Sequence, residues 1–343
     1  MVASPGPVIP LSSPPRLVLL RQDKIGDALI SIPVIRALRD KLPEARIDVV
    51  LGVKNRAIEP ALLPFVDHIH VYHKKVYRLP RLARDLRLRR YDVAIDLMDN
   101  PSVTSSALLR LSGARARLGI DKNNAGVYTH LVPPRDRATV HIVERIAQLL
   151  LPFDIDPAAA DLRMEYPLLE GDRSLAAERL GRPRGALRLA VNLAGGSPTR
   201  YWGRDNFIGL LKNLRVQFPG VEVMLFADRT YADEQAAISE LVGVRCAPVV
   251  SSFHEFAAML SLCDALFTPD TSAVHLGAAF GLPQVALYLH RVKSLLPWTP
   301  YGTPHIALTT DAPRLSSIAL AEAQAALAQL LHTHFSDKLR ARH

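Results

Sequence analysis

Cysteine is nearly absent. The 343 residues contain only Cys246 and Cys263, seventeen positions apart, with no CxxC spacing and no adjacent histidine. That excludes a zinc or iron–sulfur centre of the usual spacing and suits buried thiols in a reducing, cytoplasmic compartment. Aromatic residues make up 6% of the chain, too few for the base-stacking platforms that single-stranded nucleic acids require. Long apolar runs are missing too. The longest weakly polar stretch, "AVHLGAAFGLPQVALYLH" at 273–290, is interrupted by Gly281 and Pro283 and carries His275 and Gln284, so it reads as helix, turn and strand rather than a membrane span. There is no GxGxxG, no GxxxxGK[ST] and no GxSxG, and "HEF" at 254–256 does not extend to HExxH. NAD binding, P-loop hydrolysis, a nucleophile elbow and a zinc protease therefore find no support. The first sixteen residues hold five prolines but no basic start and apolar core, which is unlike a secretory signal and is expected to be a flexible leader over 1–15.

Apolar residues account for 49% of the chain and charged residues for 22%, enough to bury a sizeable core. The formal charge of +9 favours an acidic partner: nucleic acid, an anionic membrane surface or a phosphorylated substrate. At this length two domains are expected. Strand-like runs at 16–20, 46–51, 68–72, 91–96, 187–193, 221–226, 264–268, 284–289 and 305–309 alternate with helical patterns at 27–41, 78–90, 101–111, 138–151, 205–216, 231–241, 253–262, 272–281 and 315–332. The order predicts α/β architecture with parallel sheets covered on both faces. Residues 152–186, rich in proline, glycine and charge, form the expected linker region. The DxD of "FDIDP" at 153–157 falls there, away from any nucleotide-binding strand. Two Rossmann-like halves would hold ligands at the carboxyl ends of their strands.

Four stretches carry chemistry. In "RLVLLRQDKIGDALIS", Gly26 and Asp27 follow a strand and open a helix. Asp27 there is either an ordinary N-cap or a general base that takes a proton from a hydroxyl; Gly26 lets a substrate approach the backbone. In "DALFTPDTSAVHLGAAFGL", Thr271, Ser272 and the amides behind them, with His275 on the first turns, make either a phosphate site or a plain helix cap over a buried histidine. In "LAVNLAGGSPTRYWGRDNF", two glycines, Ser197, Thr199 and Arg200 precede a helix, which suits a second grip on a diphosphate or a flexible surface turn. In "VYRLPRLARDLRLRRYD", arginines at 78, 81, 84, 87, 89 and 90 alternate with leucines, giving either a solvated face or a surface for anionic lipid or a phosphorylated acceptor.

Taken together, these segments resemble glycosyltransferase family 9, the heptosyltransferases of the lipopolysaccharide inner core. The resemblance runs in order over residues 16–330: "RLVLLRQDKIGDALISIPVIRALRDKLPEARIDVVLG", then "RRYDVAIDLMDNPSVTSSALLRLSGARARLGID", "HIVERIAQLLL", "LAGGSPTRYWGRDNFIGLL" and "PDTSAVHLGAAFGLPQVALYL". It implies a GT-B fold, two Rossmann-like doubly wound domains facing a central cleft, with an acceptor-binding domain over 16–160 and a nucleotide-sugar-binding domain over 161–343. It implies Asp27 as catalytic base, with Gly26 and Lys24 in the acceptor-side loop. On the donor side it implies Asp270 at the sugar, Thr271, Ser272 and His275 at the diphosphate with Arg200, Ser197 and Thr199, and Glu234 at the ribose. Two positions depart from the family pattern: Arg200 stands for a lysine, and Ser272 for a glycine, which narrows the phosphate loop.

The implied activity is inverting transfer of heptose from ADP-heptose to an inner-core lipopolysaccharide acceptor. No metal or other cofactor is called for. Implied partners are the nucleotide sugar, the anionic acceptor and the cytoplasmic face of the inner membrane, and no nucleic acid. Alternatives within this reading are another nucleotide sugar or acceptor, or a non-catalytic nucleotide-sugar-binding protein. A protein acceptor is disfavoured, because the iron-binding cysteine cluster of protein-modifying members is missing.

Overall fold

Runs such as "RLVLL" and "RIDVVL" are apolar at nearly every position, the pattern of strands covered on both faces, and both are buried along almost their whole length. The computed structural model describes residues 9–122, 124–289 and 298–340. The chain divides into two compact units, the main boundary in sequence falling between Met164 and Glu165.

The first unit holds β1 (Arg16–Arg21), β2 (Arg46–Gly52), β3 (His68–Tyr72), β4 (Val93–Asp96), β5 (Ala116–Ile120) and β6 (His130–Val132). The second holds β7 (Leu187–Asn192), β8 (Val221–Phe226), β9 (Arg245–Cys246), β10 (Ala265–Pro269), β11 (Gln284–Leu289) and β12 (His305–Thr310). Among the described residues each unit forms one six-stranded sheet, ordered β3-β2-β1-β4-β5-β6 and β12-β11-β10-β7-β8-β9. Every pairing is parallel. Counted from its own first strand, each sheet has the doubly wound order 3-2-1-4-5-6, in which the chain reverses direction across the sheet between strands one and four. The points of reversal are therefore β1/β4 and β7/β10. Loops leaving the carboxyl ends of β1, β7 and β10 carry Asp27, Arg200 and Asp270 with their neighbours, whereas Glu234 follows β8.

Several elements differ from the sequence reading. The helix expected over 27–41 is two helices, Ile25–Leu29 and Ile32–Lys41. Pro33 has no N–H to continue the first, and Ser31 turns back so that its hydroxyl donates to the Asp27 carbonyl at 2.9 Å. The expected linker contains the helix Glu170–Leu180. That helix buries only Ala176 and Leu180, so its apolar period is faint. β5, β6 and β9 were not anticipated; in β5 the period is broken by Arg117 and Gly119. A Cβ on Gly119 would lie 2.2 Å from the Tyr128 ring, so glycine is what lets that ring lie against the strand. Residues 9–15, expected to belong to a flexible leader, pack on the first unit: Ile9 is buried, and Ser12 Oγ donates to Asp92 at 2.5 Å. The rest of that leader, residues 1–8, lies outside the described residues.

Candidate active site

In the first unit, β1 ends at Arg21 and the chain turns through Gln22, Asp23 and Lys24 into the helix Ile25–Leu29. Its N-cap is the exposed Lys24, which makes no side-chain capping bond, and Asp27 sits inside the first turn after Gly26. The capping reading of Asp27 is thus overturned. Its carboxylate, 14% exposed, has Oδ1 3.5 Å from Arg21 Nη2. Arg21 is almost fully buried: Nε donates to the Asp27 carbonyl at 2.8 Å and Nη1 to the Leu97 carbonyl, so the guanidinium spans from β1 to the end of β4.

The groups around it carry no local sequence motif. Asp23 Oδ1 lies 3.5 Å from Arg21 Nε. Burial, reinforced by the neighbouring Asp27 and opposed by Arg21, pushes the Asp23 carboxyl up to about 6. Beyond β4, Asp96 is fully buried, paired with Lys122 Nζ at 2.8 Å, and accepts the Tyr128 hydroxyl at 2.7 Å. Burial pulls the Lys122 ammonium below the usual lysine range, against the pull of Asp96. Asp99 accepts from Arg145 Nη2 at 2.8 Å. The signal available in sequence was "YDVAIDLMDN", a parallel strand ending in two spaced aspartates, together with an arginine closing β1.

In the second unit, Asn192 at the end of β7 donates to Thr268 of β10 at 3.0 Å, tying the two strands at the point of reversal. The loop after β7 folds back so tightly that a Cβ on Gly195 would meet the Arg200 carbonyl oxygen at 2.3 Å. Arg200 then reaches the loop after β10, with Nη2 3.1 Å from the Asp270 carboxylate and Nη1 donating to the Asp270 carbonyl at 3.0 Å. The Ser197 and Thr199 hydroxyls are 3.0 Å apart on the same loop. Thr271 caps the helix Ser272–Ala279, accepting from the Ala273 amide at 3.2 Å, and its carbonyl takes the Val274 amide. These two bonds use the Ala273 and Val274 amides and not those of Thr271 and Ser272. His275 is buried on the same helix.

Glu234, on the helix Ala232–Val242, accepts the Tyr201 hydroxyl at 2.8 Å, and Tyr201 stacks on Tyr231 with ring centroids 4.8 Å apart. Trp202 is a core residue whose Nε1 donates to the Ile318 carbonyl. So Arg200 and Asp270 are brought together, Glu234 is linked to their loop through Tyr201, and Thr271, Ser272 and His275 share one helix start. Among the described residues no group of three or more His, Cys, Asp or Glu side chains is arranged to hold a metal ion.

Two doubly wound parallel sheets, each with polar loops at its point of reversal, define the GT-B class. The sequence model for glycosyltransferase family 9 (heptosyltransferase) matches residues 79–316, and the chain belongs to that family. It is 24% identical over 298 residues to lipopolysaccharide heptosyltransferase 3 of Escherichia coli, covering 77% of this chain and 80% of that protein. Among solved structures, it is similar to a family 9 glycosyltransferase from Veillonella parvula, with TM-score 0.79, 20% identity, and coverage of 96% of this chain and 100% of the other. It is also similar to the E. coli ADP-heptose lipopolysaccharide heptosyltransferase II, with TM-score 0.72, 20% identity, and coverage of 93% and 99%.

Proposed function

We propose that this glycosyltransferase moves heptose from ADP-heptose to an inner-core lipopolysaccharide acceptor with inversion at the anomeric carbon. The observation that carries the reading is a carboxylate relieved of any capping duty, Asp27, held beside a buried arginine where the first sheet reverses. Asp27 accepts the proton of the acceptor hydroxyl while its oxygen attacks the anomeric carbon. The bond from that carbon to the diphosphate breaks, its electron pair leaves on the phosphate oxygen, and a single displacement inverts the centre. Arg200, the Thr271 and Ser272 amides and His275 meet the charge growing on the departing diphosphate. Glu234 holds the ribose, and Asp270, oriented by Arg200, the heptose. The reading assigns no step to a metal. The donor and acceptor named for the E. coli relatives support this choice.

A donor screen tests it. ADP-heptose is expected to raise the melting temperature more than UDP- or GDP-sugars, since ligand at a hundred times its Kd stabilises by about 2.7 kcal/mol. It should also be the sugar consumed when acceptor is added. Arg200→Ala should weaken ADP-heptose binding roughly tenfold to a hundredfold, the worth of a hydrogen bond to a charged group, with Arg200→Lys recovering part. Preference for another nucleotide sugar would overturn the donor assignment.

The basic helix supports contact with an anionic membrane surface. On Leu79–Leu88, Leu82, Ala83 and Leu86 are buried while Arg81, Arg84 and Arg87 face solvent. Beside it a cavity of about 560 Å³ is lined by His68, His70, His73, Lys75, Arg78 and Arg81 among others, and Val76 and Tyr77 stand out, 80% and 70% exposed. Each basic residue near an anionic surface contributes about 1 kcal/mol. The protein is expected to float with vesicles containing anionic phospholipid at physiological salt. Glutamate at 81, 84 and 87 should abolish flotation, and equal flotation with purely zwitterionic vesicles would refute the electrostatic contact. Among the described residues no helix is long and apolar enough to cross a membrane.

A further inference from the structure

Four residues before the proposed base stands a second carboxylate, Asp23, that takes no part in the displacement at the anomeric carbon. One guanidinium, that of Arg21, lies 3.5 Å from Asp23 through Nε and 3.5 Å from Asp27 through Nη2. Its Nε and Nη1 hydrogen bonds are committed elsewhere, to the Asp27 and Leu97 carbonyls. One positive charge therefore serves two negative ones. Asp23 Oδ1 is buried without a hydrogen-bond partner, and both carboxylates flank the same guanidinium. Other charges at this end of the sheet are already matched, Asp96 with Lys122 and Asp99 with Arg145, and Lys24 points to solvent. Gln22, on the same turn, is occupied with Ser105 through its amide nitrogen at 2.7 Å.

We propose that Asp23 is a positioning residue for the base, the Asp23 and Asp27 carboxylates taking up a single proton between them so that Asp27 acts as one member of a pair. The inference rests on Asp27 being the base. Two like charges in a partly buried site cannot both be ionised cheaply, so the first proton to arrive is held more tightly than by a lone carboxylate. The direction agrees with Asp23 being raised to about 6. A proton arriving at one member is stabilised by the negative charge of the other, which favours its removal from the acceptor hydroxyl.

When the acceptor proton reaches Asp27, the new carboxyl donates a hydrogen bond to ionised Asp23. The acceptor oxygen by then carries the new bond to the anomeric carbon, and the diphosphate has left with its electron pair. Asp23, the more exposed of the two at 23% against 14%, can then pass the proton to water.

The test is the pH dependence of kcat/KM for the full chain, with ADP-heptose and lipopolysaccharide truncated in the inner core, in wild type, Asp23→Asn, Asp23→Glu and Asp27→Ala. Wild type should lose activity below about pH 6. Asp23→Asn should move that limb down by at least one pH unit and lower the plateau about tenfold, and Asp23→Glu should restore the limb. A limb that stays in place in Asp23→Asn, as it would if it belonged to a substrate phosphate, overturns the pairing. If Asp27→Ala keeps wild-type activity, the base assignment itself has failed. If Asp27→Ala is inactive while Asp23→Asn leaves the limb unmoved, only the pairing has failed. Should Asp23→Asn not fold, 13C carboxyl NMR of the wild-type protein decides: a carboxyl titrating near 6, lowered in Asp27→Asn, supports the pair, and no carboxyl titrating above 5 refutes it.

Discussion

Asp27→Ala is expected to lower the transfer rate by about a hundredfold to ten-thousandfold, the usual worth of a positioned general base, while leaving the fold and ADP affinity as they are. The local geometry separates these effects. Asp27 caps nothing, so removing its side chain costs no helix-terminal hydrogen bond. The bonds that anchor this turn, from Arg21 Nε and from the Ser31 hydroxyl, both end on the backbone carbonyl of residue 27 and survive the substitution. The carboxylate also shares the Arg21 guanidinium with Asp23, so its loss leaves that one positive charge matched to one negative. A melting curve, an ADP titration and a single-turnover transfer assay on the same preparation check all three. A rate loss below threefold with folding and binding intact would show that the hydroxyl proton leaves by another route.

How much of this was legible in the sequence differs between the units. Both sheets could be read because their central strands are buried on both faces and so apolar at consecutive positions. The edges could not: β9 has only two residues, and β5 is interrupted by an arginine and a glycine. Asp27 could be singled out because a Gly-Asp pair after a strand is a local pattern. Arg21 could not, since an arginine closing a strand reads as solvent-facing; its burial depends on the Leu97 carbonyl, 76 residues away. In the second unit the Arg200–Asp270 ion pair spans 70 residues and only a folded loop discloses it. The same holds for the Thr271 hydroxyl, which occupies an amide that the motif alone would have assigned to a phosphate.

Lys122→Met is expected to destabilise the first unit by about 3–5 kcal/mol at pH 8, the cost of stranding one charge of a buried pair. That is a large share of the 5–15 kcal/mol that keeps a domain folded. Methionine nearly matches the length of this side chain, which is 1% exposed, but removes the ammonium, which lies 2.8 Å from Asp96 and also donates to the Met98 carbonyl. Asp96 would keep the Tyr128 hydroxyl at 2.7 Å, a neutral donor that cannot balance its charge.

The loss should shrink as pH falls. The stranded carboxylate binds a proton more tightly in the folded than in the unfolded chain, so the folded state gains relative stability on acidification. Adding Asp96→Asn should recover most of the loss at pH 8, because an amide can still accept from Tyr128 and carries no charge. Urea unfolding of the single and double variants at pH 8 and pH 5 measures both effects. A loss under 1 kcal/mol at pH 8, or one equal at the two pH values, would mean that the pair is not buried as described. Activity should fall alongside stability, because Met98 adjoins Leu97, whose carbonyl fixes Arg21 and through it the carboxylates of the proposed base. The buried pair behind β4 and the reacting pair after β1 are thus joined by one short run of backbone, and a charge lost in the core should be felt where the acceptor proton is taken.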